Sequence, residues 1–191
     1  NNTKLYLVRV MNVPSNKITV VYEGAPDEFN PKLNADDEEA MAHYGLIKPY
    51  VLFVGTLEPR KNLNFLIRSF DQVAKARPDV HLVLAGRRGW MAQAIFDELE
   101  RRDLLGRVHI TGYVRERYLP ALYRQASAFV YPSLYEGFGL PPLEAMSSGT
   151  PVIVSRSSSL PEVVGDAGLY VNPLDTAELA KAMESILSDP E

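Results

Sequence analysis

Short, unbroken apolar runs alternate along this chain with longer segments in which apolar residues recur every three or four positions. The runs predict strands at residues 18–22, 50–54, 80–85, 108–111, 128–131, 151–154 and 169–171. The longer segments predict helices at residues 36–44, 63–76, 91–101, 119–125, 143–148, 160–164 and 176–187. Nearly continuous apolar strands between amphipathic helices are typical of a parallel sheet covered on both faces. The pattern therefore predicts an α/β fold, a doubly wound, Rossmann-like parallel sheet of about six strands.

The loops that follow the predicted strands contain half of the twelve glycines of the chain and most of its candidate motifs. They lie at residues 55–62, 86–89, 112–115, 133–140 and 155–159. Parallel strands of such a sheet end at a common edge, and ligands bind beyond the carboxyl ends of the strands. We therefore expect these loops to converge on one site.

The most informative stretch covers residues 135–146, Tyr-Glu-Gly-Phe-Gly-Leu-Pro-Pro-Leu-Glu-Ala-Met. It follows a predicted strand and continues into Leu-Pro-Pro, which is typical of the first turn of a helix. A helix N-terminus offers unpaired N–H groups and the positive end of its dipole, and glycines let a ligand approach the backbone. The stretch predicts a site for an anion, with phosphate as the expected group.

Two carboxylates, Glu136 and Glu144, belong to the same stretch. They would repel a bare phosphate, but they accept hydrogen bonds from hydroxyl groups. A phosphate flanked by hydroxyl groups is a feature of nucleotide sugars, which the stretch therefore favours as ligands. The alternative is that Glu136 is a solvated loop acid and that Glu144 only complements the helix dipole.

The composition narrows the classes of function. With 191 residues, of which 46% are hydrophobic and 23% charged, the chain is long enough for one sizeable core. The net charge of −4 argues against a general affinity for nucleic acid or an anionic membrane. There is no cysteine for a disulfide, and no apolar run of about 18 residues that predicts a transmembrane helix. Because the chain starts with Asn1 and not with methionine, we expect a piece of a longer protein.

Neither the acids nor the histidines predict a metal site. Asp36 and Asp37 fall in the first turn of a predicted helix, where acids complement the dipole. His43, His81 and His109 have no cysteine or carboxylate partner at the spacing of metal ligands, and we expect them not to form a constellation.

Five segments resemble the C-terminal, donor-binding half of the retaining family 4 (group 1) glycosyltransferases, which have the two-domain GT-B architecture. Glu136 and Glu144 form a Glu-x(7)-Glu motif, in the form Glu-Gly-Phe-Gly-Leu-Pro-Pro-Leu-Glu. The other segments are Phe-Val-Gly-Thr-Leu-Glu-Pro-Arg-Lys-Asn at 53–62, Leu-Ala-Gly at 84–86, Ile-Thr-Gly-Tyr-Val at 110–114 and Gly-Thr-Pro-Val-Ile at 149–153. The resemblance implies that residues 1–15 are a linker and the tail of an N-terminal domain. Residues 16–191 would be the nucleotide-sugar-binding domain.

The resemblance also implies roles for individual residues. Arg60 and Lys61 match cations that bind the diphosphate of the donor, and Glu136 would face the donor sugar; these three are the predicted catalytic residues. Glu144 would accept hydrogen bonds from the ribose hydroxyls. The other predicted donor-binding residues are Gly55 and Thr56 beside the phosphates, Arg87, Tyr113, Val114 and Leu119 around the nucleobase, and Phe138, Gly139 and Leu140 as N–H donors.

Two of these assignments have ordinary structural alternatives. An adjacent arginine and lysine supply positive charge to a leaving diphosphate without a metal. Arg60 and Lys61 could instead be solvated cations, although a helix N-terminus is an unfavourable place for cations. Tyr113 could be an ordinary packing aromatic residue.

The implied function is donor binding in a retaining glycosyltransferase that moves a hexose from a nucleoside diphosphate to an acceptor hydroxyl, in polysaccharide or glycoconjugate synthesis. The Glu-Pro-Arg-Lys-Asn segment resembles mannosyl- and rhamnosyltransferases, which implies GDP-mannose or another nucleoside-diphosphate hexose as substrate, with no cofactor and no metal. The acceptor, a sugar or a lipid-linked sugar, would be bound by the N-terminal domain, and nucleic acid would not be a partner. The implied location is the cytoplasm, with peripheral attachment to the inner face of the membrane.

Three alternatives stay open. A sugar-nucleotide epimerase of GT-B architecture would need further acids and histidines at the sheet edge. A non-catalytic nucleotide-sugar-binding module would keep the fold, but the four charged motif residues are all present. A plain dinucleotide-binding domain would carry Gly-x-Gly-x-x-Gly before its first helix, and this chain does not.

Overall fold

Six of the predicted apolar runs pair into one parallel sheet. The computed structural model describes residues 1–189; the last two residues of the predicted donor domain (16–191), Pro190 and Glu191, lie outside the described part. The strands are β1 (Tyr50–Val54), β2 (His81–Ala85), β3 (Val108–Gly112), β4 (Ala128–Tyr131), β5 (Val152–Ser155) and β6 (Gly168–Val171). They follow the order β3-β2-β1-β4-β5-β6, and each neighbouring pair is parallel. The predicted fold class is confirmed.

Helix α1 (Asn2–Arg9) precedes the sheet and has no buried residue. The helices that cover the two faces of the sheet are α2 (Ala35–Tyr44), α3 (Leu63–Ala76), α4 (Gln93–Arg101), α5 (Leu119–Gln125), α6 (Leu140–Ser147), α7 (Leu160–Val164) and α8 (Thr176–Ser188). Helix α3 packs against α4 and α8 on one face, while α5 packs against α2 and α6, and α6 against α7, on the other. Short 3-10 turns occur at Ser15–Lys17, Pro59–Lys61 and Glu116–Tyr118.

The two helical layers explain why the strands are apolar at nearly every position. Tyr50, Leu52 and Phe53 of β1 are fully buried, as are Leu66 and Phe70 on the inner side of α3. Burial of each large apolar side chain stabilises the fold by about 1.5–3 kcal/mol. An alternating polar pattern would leave polar groups without partners on one of the two faces.

The site lies at the position where the chain changes the direction in which it adds strands to the sheet. From β1 the chain builds outward to β2 and β3, and it then returns to place β4 on the other side of β1. The loops after β1 and β4 therefore flank the crevice that binds ligands in doubly wound sheets. Leu134 N donates to the Arg60 carbonyl at 2.9 Å, which ties the two loops together.

The predicted strand at residues 18–22 is wrong. Its β-branched sequence favours an extended chain, and Ile18 has extended backbone angles, but no neighbouring strand supplies hydrogen bonds. Val21 is 80% exposed. The segment runs beside α1, which lies within the predicted tail at residues 1–15. Thr3 Oγ1 of α1 donates to the Gly137 carbonyl at 3.1 Å, and the Tyr22 hydroxyl donates to Glu162 at 2.5 Å.

Two helices start two or more residues away from their predicted positions. Helix α4 begins at Gln93 and not at residue 91, because Met91 adopts φ = +56°, which a helix does not accommodate. Helix α6 begins at Leu140, three residues before the prediction, and its two prolines occupy the first turn. Proline is tolerated there because the first N–H groups of a helix have no partner within it.

Candidate active site

Arg60, Lys61 and Glu136 meet between the loops that follow β1 and β4. Lys61 Nζ lies 2.6 Å from Glu136 Oε1, and Arg60 Nη1 lies 2.8 Å from Glu136 Oε2. Arg60 also donates to Glu58 Oε1 and to the Tyr135 carbonyl, each at 2.7 Å. One carboxylate therefore holds both cations, and the three predicted catalytic residues lie together.

Burial and ion pairing act in opposite directions on the pKa values of Lys61 and Glu136. Lys61 and Glu136 are only 6% and 7% exposed. Burial lowers the pKa of Lys61, and the neighbouring Glu136 opposes that change. Burial by itself would raise the pKa of Glu136, but the hydrogen bond from Lys61 and the contact with Arg60 lower it overall. Glu136 is therefore ionised at neutral pH, and it attracts both cations to fixed positions.

The loop between β4 and α6 is held by two serines, and three of its backbone N–H groups are unpaired within the described residues. Ser158 Oγ accepts from Glu136 N at 2.8 Å, and the Ser159 hydroxyl lies within hydrogen-bond distance of two carbonyls, those of Glu136 and Phe138, which share its one proton. Within residues 1–189, the N–H groups of Gly137, Phe138 and Gly139 have no protein acceptor. Because they precede the N-terminus of α6, their dipoles and that of the helix favour an anion here.

An apolar cavity of about 280 Å³ lies at the carboxyl ends of β1, β2 and β3. Six of the predicted donor-binding residues line it, together with Val54, Ala85 and Gly86: Gly55, Thr56, Arg87, Tyr113, Val114 and Leu119. The guanidinium of Arg87 lies 4.5 Å from the centre of the Tyr113 ring, which is 54% exposed. The ring is thus stacked on a cation at the surface, and the core does not enclose it.

Glu144 lies one turn into α6 and is half-buried. The hydroxyl of Tyr123, a fully buried residue of α5, donates to Glu144 Oε2 at 2.8 Å. Burial raises the pKa of Glu144; the hydrogen bond from Tyr123 lowers it, and the acid Glu28 raises it further. The Tyr123 hydroxyl thus fixes one oxygen of the carboxylate, and the carboxylate can still accept hydrogen bonds from a ligand.

Two glycines bring neighbouring loops into direct backbone contact at this edge. A Cβ atom added to Gly86 would lie 1.9 Å from the Gly55 carbonyl oxygen, and Gly86 has φ = +153°. The loops after β1 and β2 are further paired through Leu57, whose N–H donates to the Arg87 carbonyl at 2.9 Å. The floor beside the cavity is therefore backbone, which an anion can approach closely.

Sequence reasoning did not find several residues that shape the site. Tyr131, the last residue of β4, contacts Lys61, and Tyr123 contacts Glu144. Tyr131 had a usable signal, because it directly precedes the motif loop at the carboxyl end of a strand. Ser158 and Ser159 lie in the loop at 155–159 that we expect at the site, but no local pattern predicts their hydrogen bonds to a loop more than 20 residues earlier.

The described residues contain no group of three or more metal-ligating side chains that could hold a metal ion. Asp37 instead completes a capping box with Asn34, and its Oδ1 lies 3.0 Å from Arg124 Nε. Two of the three histidines lie close to each other. His81 Nδ1 and His109 Nε2 lie 3.2 Å apart across β2 and β3, at the edge of the sheet away from the site.

No helix in the described range, 1–189, is long and apolar enough to cross a membrane.

Comparisons with known proteins agree with the fold and the motifs. O-antigen chain mannosyltransferase B of Escherichia coli is 39% identical over 185 residues, which make up 96% of this chain and 49% of the relative. A glycosyltransferase of Rickettsia africae superposes with a TM-score of 0.89 at 20% identity, covering 98% of this chain and 52% of the other. Anabaena HepE in complex with UDP gives a TM-score of 0.85 at 22% identity, covering 99% and 52%. The chain thus spans about half the length of these proteins. The profile of the family "Glycosyl transferases group 1" matches residues 36–191, and this chain belongs to that family.

Proposed function

We propose that this chain is the donor-binding part of a retaining glycosyltransferase and that its donor is a nucleoside-diphosphate hexose. The observation that supports this most is the convergence of Arg60 and Lys61 with the unpaired N–H groups that precede α6. Cations and oriented N–H groups in one place bind a diphosphate. Glu144 can accept the ribose hydroxyls, and the apolar cavity beside Tyr113 can take the nucleobase.

The same groups can accelerate sugar transfer. As the bond between the sugar and the diphosphate breaks, negative charge grows on the departing phosphate oxygen. Arg60, Lys61 and the N–H groups stabilise that charge without rearranging, because Glu136 and the serines already hold them. In a front-side reaction the acceptor oxygen bonds to the anomeric carbon from the face that the diphosphate leaves. Its proton passes to a phosphate oxygen, and the configuration is retained.

We further propose mannose as the sugar and GDP as the leaving group. The support is the 39% identity to a protein named as an O-antigen mannosyltransferase. Residues 16–191 would then form the donor domain, while residues 1–15 and a further domain would contribute to binding a sugar or lipid-linked acceptor. The location would be the cytoplasm, at the inner face of the membrane.

Calorimetric titration of the chain with GDP, UDP, ADP and dTDP tests donor binding. We expect GDP to bind most tightly, and Arg60→Ala to weaken the affinity about tenfold or more, because it removes a charge-assisted contact to phosphate. Arg88→Ala is the matched control, since Arg88 lies on the neighbouring loop and stacks on Phe96 outside the site. Equal losses in both variants would indicate a general charge effect and would contradict the assignment.

Incubation with GDP-mannose separates transfer from epimerisation. We expect the chain alone to bind the donor and to transfer sugar at no useful rate, since acceptor groups are proposed to lie elsewhere. Proton NMR of the reaction follows the anomeric signal and the nucleotide sugar. Robust transfer by these 191 residues would contradict the division of roles, and a new epimeric nucleotide sugar would favour the epimerase.

A further inference from the structure

Lys61 is the most enclosed cation of the site, and two of its three N–H donors are already occupied. Its Nζ donates to the Tyr131 hydroxyl at 2.5 Å and to Glu136 Oε1 at 2.6 Å. An ammonium group has three donors. Within the described residues 1–189, no protein acceptor takes the third one. The direction of that free donor is fixed by the two occupied ones.

Tyr131 is a rigid support for this arrangement. Its side chain is 1% exposed, and its ring stacks between Phe53 of β1 and Phe129 of β4, with 5.7 Å between ring centres in both cases. Gly55 leaves the opposite side open, because a Cβ there would meet Phe53 at 3.2 Å and the Cε of Lys61 at 3.6 Å. The hydroxyl oxygen of Tyr131 therefore has one position, set by the core of the sheet.

We propose that Tyr131 is a positioning residue for donor binding: its hydroxyl accepts one N–H of Lys61 and thereby directs the free N–H of that ammonium toward the diphosphate. This inference rests on the proposed function. It assigns Tyr131 a role in the reaction that acts through Lys61, without contact to the substrate.

The chemistry of a phenol suits this role better than that of a second carboxylate. Among the charged groups that face Lys61, Glu136 and Glu58 favour the ammonium form and Arg60 opposes it. A further carboxylate would hold the ammonium but would also cancel the positive charge that a diphosphate needs. Burial, and the nearby Glu136, raise the pKa of Tyr131, so its hydroxyl stays neutral. It supports the cation without neutralising it.

Tyr131→Phe isolates the hydroxyl, because a phenylalanine ring keeps the stacking and the contact between Lys61 Nζ and the ring. Without that acceptor, we expect the proton affinity of Lys61 to fall about tenfold, measured by NMR titration of its Cε and Nζ signals. We also expect GDP to bind about tenfold more weakly at neutral pH, with a loss that grows as pH rises. Tyr50→Phe is the matched control, since it removes another buried tyrosine hydroxyl, at the amino end of β1, and leaves Lys61 untouched.

The outcomes separate this inference from the proposed function. If wild-type chain binds GDP but Tyr131→Phe titrates and binds like wild type, the positioning role is overturned while donor binding stands. If the wild-type chain binds no nucleoside diphosphate, both proposals are overturned. A wild-type measurement keeps the test independent of how the variant folds: we expect slow solvent exchange of the Lys61 ammonium protons, and exchange as fast as that of exposed Lys75 would overturn the inference.

Discussion

Two regions of this molecule bury acids among cations, and they do so differently. At the sheet edge, Glu136 holds Arg60 and Lys61, and the Lys61 side chain is only 8% exposed. Between α3 and α4, Glu98 is 1% exposed and accepts from Arg68 at 2.9 Å. Yet the Arg68 side chain remains 49% exposed. The helical cluster, formed by Asp71, Glu98, Arg68 and Arg102, buries its acids and leaves its cations partly in water. The sheet edge leaves Arg60 partly in water too, at 41% exposure, but it buries the ammonium group of Lys61 together with its acid.

We propose that burial of the cation distinguishes the ion pair of the proposed donor site from the structural ion pairs between α3 and α4. In the helical cluster, Arg102 joins Glu98 and Asp71 at 2.7 Å each, and water screens the outer charges. At the sheet edge, a buried ammonium keeps an unused donor beside unpaired backbone N–H groups. A buried ion pair is weak evidence for stability, because desolvation offsets the attraction. The enclosed charges of the sheet edge are better explained by binding of an anion.

The largest expected effect comes from filling the backbone contact at the sheet edge. In Gly86→Ala the new methyl group would overlap the Gly55 carbonyl, so we expect a loss of more than about 3 kcal/mol in the free energy of unfolding, measured with urea. Gly106→Ala is the control, because nothing lies within 4 Å of its added Cβ. If Gly86→Ala cost no more than Gly106→Ala, the two loops would not be in rigid contact.

The next largest effect comes from the helical cluster, which we expect to contribute to stability but not to GDP binding. Glu98→Ala removes the acceptor shared by Arg68 and Arg102, and we expect a loss of about 2 kcal/mol in the free energy of unfolding. The freed arginines can turn to water, which keeps the cost below that of a stranded buried charge. Exposed Glu100 on the same helix gives the control, Glu100→Ala. GDP affinity should be unchanged in both, and a weakened affinity in Glu98→Ala would break the distinction between the regions.

The contrast between these regions also shows what the sequence could predict. The sheet, its strands and most helices follow from local periodicity, because parallel strands buried on both faces must be apolar. The prediction of a strand at 18–22 is wrong because a strand needs a neighbouring strand for its hydrogen bonds. A run of β-branched residues does not show whether such a neighbour exists. Loop motifs placed Arg60 and Lys61 correctly after a strand at the carboxyl edge of the sheet. The contact of both with Glu136 could not be predicted from local pattern, since 75 residues separate Lys61 from Glu136.

Glu144 and Glu98 should respond to pH in opposite ways. Burial raises the pKa of Glu144, so its contribution to stability is present below the ordinary value of 4.5 and is lost as pH rises through the raised one. The pKa of Glu98 is lowered. Burial alone would raise this pKa, but the hydrogen bonds from Arg68 and Arg102 lower it by more. Its contribution is present above 4.5 and is lost as pH falls through the lowered value.

Glu144→Gln keeps an acceptor for Tyr123 and removes the buried charge. We expect it to stabilise the chain by about 1 kcal/mol or less at neutral pH, a gain that vanishes in acid, while GDP affinity falls several-fold. Urea unfolding across the range from pH 3 to 8 measures the first effect, and calorimetry the second. A variant that bound GDP as tightly as wild type would contradict the ribose role of Glu144.

The smallest effect comes from Lys75, whose Nζ lies 2.9 Å from Asp71 Oδ2 but whose side chain is 73% exposed. Like Lys61, it pairs with a buried acid; unlike Lys61, it stands in water. We expect Lys75→Ala to cost only about 0.3–0.5 kcal/mol, because Arg102 still holds Asp71. Much of that cost should disappear in 1 M salt, because the lysine stands in water and the screening length falls to about 3 Å, close to the separation of the pair. Lys61→Met is the matched buried variant, and it should abolish most GDP binding at any salt concentration that still allows binding to wild type. If both lysine variants lost stability and affinity equally, exposure of the cation would not distinguish the two regions, and the sheet edge would be one more structural ion pair.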